Sequence, residues 1–353
     1  MTSIKTVAQQ AQVSIATVSR VLNGTKYVSP DVEKRVLEAI NLLNYQPNAP
    51  ARNLRQKRTL SVGVLLPRLN DFFFSNLAYV LEKTLSAEDY RPLFCSTEND
   101  EEKEAATVNN LITHRVDAVI LVPSVPVHKS VESVARLLDR NISVVLVDRG
   151  MPEFSVSQVL SNNDQGAYDA AAYLLQLGHR HIGIIDSGAD GAKYAGEPGH
   201  ERMKGIQRAM LERDIPLDHN LVIFDKLDNV EMGYYGTLKL LRQSPYVTAI
   251  FALTDAIAVG VLRAASELGL NVPQDLSVVG FDDILLASHV IPRLTTVAQS
   301  VEKIGQKATE LLLRQIQKPD LPPETTTLDT KLVIRESTAP PRQTSPLNPL
   351  STS

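Results

Sequence analysis

The chain has 353 residues, 43% of them hydrophobic and 22% charged, with a formal net charge of −4, a length that exceeds one ordinary core and predicts two or three folding units. No apolar run reaches the roughly 18 residues that cross a bilayer, so no membrane span is expected. Cys95 is the single cysteine, which excludes an intrachain disulfide and any multi-cysteine zinc site, and its strand-like setting reads as a buried, inert thiol. Charge is segregated: residues 1–59 carry nine Lys and Arg against three Asp and Glu, a net +6 that leaves −10 for the remainder. A small basic module in front of a larger acidic one favours contact between the front module and a polyanion.

In chain order, three short helical patterns come first. Ile4, Val7, Ala8 and Ala11 make one apolar stripe, Val18, Val21 and Leu22 a second, and Val32, Val36, Leu37, Ile40 and Leu43 a third. Ser14 is placed to cap the second helix, and Ser29-Pro30 supplies a cap and an N1 proline for the third. Only Gln12-Val13-Ser14 separates the first two helices, so they must cross steeply, as in a helix-turn-helix. With Val18, Val21 and Leu22 turned inward, Ile15, Ala16, Ser19 and Arg20 face outward. Arg20 suits guanine O6 and N7, Ile15 and Ala16 suit thymine methyls, and Ser14, Thr17, Ser19 and Asn23 suit phosphate oxygens. The opening Met1-Thr2-Ser3-Ile4-Lys5-Thr6 has no basic segment followed by an apolar stretch, which predicts a cytoplasmic protein, here associated with the nucleoid.

From Leu60 onward, short β-branched runs alternate with amphipathic helices. Residues 60–66, 118–122, 143–147, 181–185, 249–252 and 276–280 read as buried parallel strands, with helices such as 75–87, 164–177, 255–268 and 300–316 between them. This alternation predicts two doubly wound α/β sheets. Ligands of such sheets lie at the carboxyl ends of strands. Asp148-Arg149 and Asp255 follow two of the runs, and Asp71 with Phe72-Phe73-Phe74 follows the first. Carboxylates, a guanidinium and aromatic rings together fit a small polyol without catalysis. The proline-rich end, from residue 341 to 353, is expected to be a disordered tail.

The run Val7-Ala8, Ala11, Val13-Ser14 and Thr17-Val18-Ser19-Arg20-Val21-Leu22-Asn23 resembles the headpiece of the LacI/GalR family of bacterial regulators. Asn44-Tyr45-Gln46-Pro47-Asn48-Ala49-Pro50-Ala51-Arg52-Asn53-Leu54 resembles that family's hinge. Asp71 to Ser75, Leu177-Gly178-His179, Thr254-Asp255, Gly280-Phe281-Asp282-Asp283, Leu294-Thr295-Thr296-Val297 and Arg335-Glu336-Ser337-Thr338 resemble its sensor signatures. The resemblance covers residues 3–340. It implies an all-α helix-turn-helix headpiece over 1–46, a hinge helix or linker over 47–59, and a two-lobed, periplasmic-binding-protein-like sensor and dimerisation domain over 60–340. It further implies a homodimer that binds double-stranded operator DNA as a repressor, under control of a small effector. The DNA-binding set becomes Ser14, Ile15, Ala16, Thr17, Ser19, Arg20, Asn23 and Leu54, the last as a minor-groove wedge that bends the duplex. Carried over in the same way, the pocket residues are Phe73, Phe74, Asp148, Arg149, Arg202, Asp255 and Gln299. Asp71 and Pro50 depart from the asparagine and the aliphatic residue usual at those places.

Enzyme readings lack their motifs. Gly188 to Lys193 has no P-loop spacing, and no G-x-G-x-x-G follows a strand. His179 and His181 point to opposite faces of a strand, so no metal site, and no cofactor, is expected. The competing reading is a sugar-binding transport protein of the same sensor fold, which leaves the basic headpiece without a purpose.

Overall fold

A computed structural model of the chain describes residues 3–23, 27–45, 58–124, 126–186, 197–225 and 227–342. Two compact units emerge, Met1–Thr59 and Leu60–Ser353. In the first, α1 (Ile4–Gln10), α2 (Ile15–Asn23) and α3 (Pro30–Leu42) enclose a small core of Val7, Ala8, Ala11, Val18, Val36 and Ala39. The turn between α1 and α2 holds because Gln12 adopts a left-handed φ of 54°, which lets the chain reverse within a few residues. Ser14 accepts from the Thr17 amide at 3.1 Å and caps α2. Ser29 precedes α3 with Pro30 in the first turn, but its side chain makes no capping bond. Residues 47–57 of the hinge, with Asn48, Pro50 and Leu54, lie outside the described residues.

The second unit begins with β1 (Ser61–Leu66), α4 (Phe72–Ala87), β2 (Arg91–Ser96), α5 (Glu101–Thr113), β3 (Ala118–Leu121), α6 (Val131–Asp139), β4 (Ser143–Val147) and β5 (Ser157–Ser161). It continues through α7 (Asn163–Leu177), β6 (Ile182–Asp186), α8 (Pro198–Leu211), β7 (Val222–Phe224), α9 (Asn229–Gln243), β8 (Ala249–Ala252), α10 (Asp255–Glu267), β9 (Ser277–Asp282) and β10 (Thr295–Ala298). Then come α11 (Val301–Gln317), β11 (Thr325–Leu328) and β12 (Lys331–Val333). Two six-stranded sheets result, in the orders β11-β5-β4-β3-β1-β2 and β12-β10-β9-β8-β6-β7. All pairings are parallel except β12 on β10, which places an antiparallel strand at one edge. Each sheet is covered on both faces, which is why its central strands are continuous apolar runs.

The chain passes between the two lobes after β5, after β10 and after β11, so residues 162, 299–300 and 329–330 sit where the lobes join. Helix α4 starts at Phe72, earlier than the apolar pattern predicts, because the Asp71 carboxylate accepts from the Phe73 and Phe74 amides and forms its cap. The expected tail starts too early as well. Arg342 donates to the carbonyls of Pro245 and Val247 at 3.0 and 3.2 Å, and His179 holds the Ala339 carbonyl at 2.9 Å, so this segment is strapped to the second lobe. No helix among the described residues is long and apolar enough to cross a membrane.

Candidate functional site

On the headpiece, the periodicity of α2 sorts its residues into two faces. Val18 is fully buried and Val21 and Leu22 pack beside it, while Ser14, Ile15, Ala16 and Arg20 are exposed and Thr17 and Ser19 half-buried. Ile15 leaves 40% of its surface exposed, an uncovered apolar side chain on the same helix as the exposed Arg20. Asn23 closes the helix. A shallow hollow of ≈ 590 Å³ opens between α1 and the start of α2, lined by Lys5, Gln9, Gln12, Ser14 and Ile15 among others. Lys5, Gln9 and Gln12 therefore join the surface that α2 presents, a grouping that stripe analysis of single helices does not reveal.

In the two-lobed unit, polar residues gather at the carboxyl ends of β4 and β9. Asp148 follows β4 at a positive φ of 68°, and Asp282 ends β9 at 113°. Two non-glycine residues held in such conformations mark places where the surrounding fold imposes the backbone. Arg149 donates through Nη1 to Asn99 Oδ1 at 2.8 Å and to the Pro123 carbonyl at 2.6 Å. Its guanidinium lies 5.7 Å from the centre of the Phe74 ring. Its Nε stands 3.7 Å from Asp148 Oδ2 and is buried without a hydrogen-bond partner among the described residues. From the other lobe, Arg202 donates through Nε to Asn163 Oδ1 at 2.9 Å and through Nη2 to Asp282 Oδ1 at 3.1 Å, and lies 3.8 Å over the Phe281 ring. Gln299 donates to Asp282 Oδ1 at 2.8 Å, leaving its own Oε1 buried and unpartnered among the described residues.

Electrostatics reflect this crowding. Burial pushes the Asp148 carboxyl above its ordinary range, Arg149 and Arg202 pull it down, and Asp71 pushes it up again. Burial likewise raises Asp282, to about 7, with Arg202 and Gln299 opposing and Asp71 and Asp148 adding to the rise. Asp71 is raised by burial against the helix amides it caps and against Arg149 and Arg68. Three carboxyl groups thus feel one another in a polar cleft that also holds Arg149 and Arg202.

Two of the expected pocket residues lie elsewhere. Asp255 is fully buried, with Oδ2 accepting from the Ile284 amide at 2.9 Å and Oδ1 from the Thr296 hydroxyl at 2.5 Å. Each oxygen takes a bond from within the second lobe, and Gly280 makes room for them, since a Cβ there would lie 2.1 Å from Asp255 Oδ1. The cap of α10 is Thr254. Phe73 is 6% exposed and belongs to the core of the first lobe. Only Phe74, half-buried and edge-on to it at 5.3 Å, borders Arg149. Conversely, the pocket set drawn from the sequence omits Asn99, Asn163 and Glu197, and it omits Asp282 although that residue stands in a sensor signature. Glu197 stands just before α8 and accepts the Val127 amide of the first lobe at 3.0 Å.

Comparison with known proteins places these two surfaces in context. The profile of bacterial regulatory proteins of the lacI family matches residues 3–48, and that of a periplasmic binding protein-like domain matches residues 171–338. The ribose operon repressor of Halalkalibacterium halodurans is 37% identical over 338 residues, 96% of this chain and 97% of that protein. A lac repressor dimer bound to operator and the anti-inducer ONPF superposes with a TM-score of 0.82 at 26% identity, over 96% of this chain and 99% of that one. A LacI family transcriptional regulator from Enterococcus faecium with bound ribose superposes with a TM-score of 0.70 at 29% identity, over 79% of this chain and 99% of that one.

Proposed function

The chain belongs to the lacI family of bacterial regulatory proteins, and on that premise we propose that it is a homodimeric repressor whose operator affinity is set by a neutral sugar held between the sensor lobes. It is a DNA-binding transcriptional regulator. In this reading Arg20 forks onto a guanine, Ile15 and Ala16 meet thymine methyls, and Ser14, Thr17, Ser19 and Asn23 hold phosphates. Residues 47–59 serve as the hinge, with Leu54 as the wedge. A transport role leaves this apparatus idle. The work is binding rather than turnover, and its place is with the DNA in the cytoplasm.

One observation carries the sensor half. A buried acceptor, Gln299 Oε1, and a buried donor, Arg149 Nε, have no hydrogen-bond partner among the described residues, beside the carboxylates of Asp148 and Asp282. Buried polar groups are costly to leave unpaired, and sugar hydroxyls both donate and accept. Phe74 offers an aromatic ring, Arg202 and Asp282 a charged pair. A phosphate on the ligand would face Asp71, Asp148 and Asp282 as like charges. Ribose is the first sugar to test, because a relative is named a ribose operon repressor and a structural neighbour holds ribose. Calorimetry of the full-length protein with ribose, ribose 5-phosphate and a nucleobase tests the reading. Binding of the neutral sugar alone is expected, and binding of only the phosphate or the base would overturn it.

A further inference from the structure

Two helix N-termini face each other across the cleft, one from each lobe, and the cap of each is tied to the other. Asp71 caps α4 with Oδ1, which accepts from the Phe73 and Phe74 amides at 2.9 and 3.2 Å. Its second oxygen accepts from Asn229 Nδ2 of the opposite lobe at 3.3 Å. Asn229 is the first residue of α9, whose cap is Asp228. Asp228 Oδ1 accepts the Asn229 amide at 2.8 Å and, from the loop that leads into α4, Arg68 Nη1 at 2.7 Å. The contacts are reciprocal: the cap of α4 takes a bond from α9, and the cap of α9 takes one from the approach to α4. The loop so held is the one that delivers Phe74 to Arg149.

We propose that Arg68 and Asp228 are positioning residues that latch the lobes together and set how long the cleft stays closed. They act through the loop, and neither needs to touch a ligand. The consequence for sugar residence rests on the effector reading above, whereas the latch itself does not. The pair is 43% and 61% exposed, so it is screened by solvent and its effect on closure is expected to be about two- to fivefold. A reporter lies elsewhere on the cleft. The Val127 amide, buried in the first lobe, is donated to Glu197 of the second, so opening the lobes removes its partner and exposes it to exchange.

The experiment is hydrogen exchange at the Val127 amide in the full-length protein without sugar, for the parent, Arg68→Gln, Asp228→Asn and the double variant. Asparagine is a good helix cap, so Asp228→Asn keeps the start of α9 and removes only the charge. Exchange is expected to quicken about two- to fivefold in each single variant and no further in the double. Raising salt from about 0.1 M to about 1 M on the parent should quicken it similarly, with no substitution to disturb folding. Exchange unchanged in the variants and in salt overturns the latch, as do two substitutions whose effects multiply. Ribose dissociation, followed on the same samples, is expected to quicken in step. A parent that binds no ribose refutes ribose as the effector and leaves the exchange result to decide the latch.

Discussion

Replacing Asp282 with Asn isolates the charge at the centre of the cleft. Asn keeps the size and one acceptor oxygen, and it tolerates positive φ better than most residues, which matters at 113°. Arg202 keeps Asn163, the Leu253 carbonyl and the Phe281 ring, so it is not stranded. What is lost is about one charge-assisted hydrogen bond to a ligand hydroxyl, roughly 1.5–3 kcal/mol, or about a ten- to 150-fold weaker affinity. Acidity gives a second, independent signature. The folded-state value of Asp282 is raised to about 7 from 3.8, so its ionised form costs stability: the cost is absent below the unfolded value and complete above the folded one. If the sugar requires the carboxylate, binding to the protonated site must release a proton. Affinity should then rise about tenfold from pH 6 to pH 8 and level off above. Calorimetry in buffers of different ionisation enthalpy reads both the affinity and the proton. An unchanged affinity in Asp282→Asn, or a parent whose affinity is flat across this range, would refute the reasoning.

The other expectations follow from the same geometry. Arg20→Ala should weaken operator binding by about 1–3 kcal/mol and relax preference at one guanine while sparing non-specific affinity; anisotropy titrations showing equal loss on all DNA would make Arg20 a phosphate contact. Asp255→Ala leaves the buried Ile284 amide without its acceptor, so urea unfolding should report a loss of about 1–3 kcal/mol. Sugar affinity of the folded protein should hold, and a selective loss of affinity would return Asp255 to the ligand. Leu54→Ala should keep folding and dimerisation but reduce operator bending in a gel-phasing assay, and unchanged bending removes Leu54 from the mechanism.

Much of this was legible before the structure because short-range patterns decide it. Val18, Val21 and Leu22 fix which face of α2 is free, and the strand-end rule finds Asp148 and Arg149. The same rule finds Asp282 only if β9 is carried past Gly280 through Phe281 to its end. Glycine under Asp255 made the run look finished, when it is there to admit that carboxylate. Asp255 itself misleads because an acidic residue at a strand end is also the opening of the next helix, and only three-dimensional partners tell the two uses apart. Phe73 and Phe74 are adjacent on one helix, about 100° apart, so both could not face the cleft. Glu197, Arg68 and Asp228 act through partners remote in sequence, and no local pattern announces them. The strands β10 and β11 are short and rich in threonine, which carries little apolar signal even where Thr295 and Thr296 are buried, and β12 is only Lys331-Leu332-Val333.

The central claim is that the cleft and the headpiece are coupled through one protein. Coupling between two binding sites is reciprocal. The direct measurement is a pair of titrations on the full-length dimer: operator affinity with and without saturating ribose, and ribose affinity with and without saturating operator. The account expects both affinities to shift in the same direction and by the same factor, about 5- to 150-fold. Ribose that binds the cleft yet leaves operator affinity unchanged would contradict it.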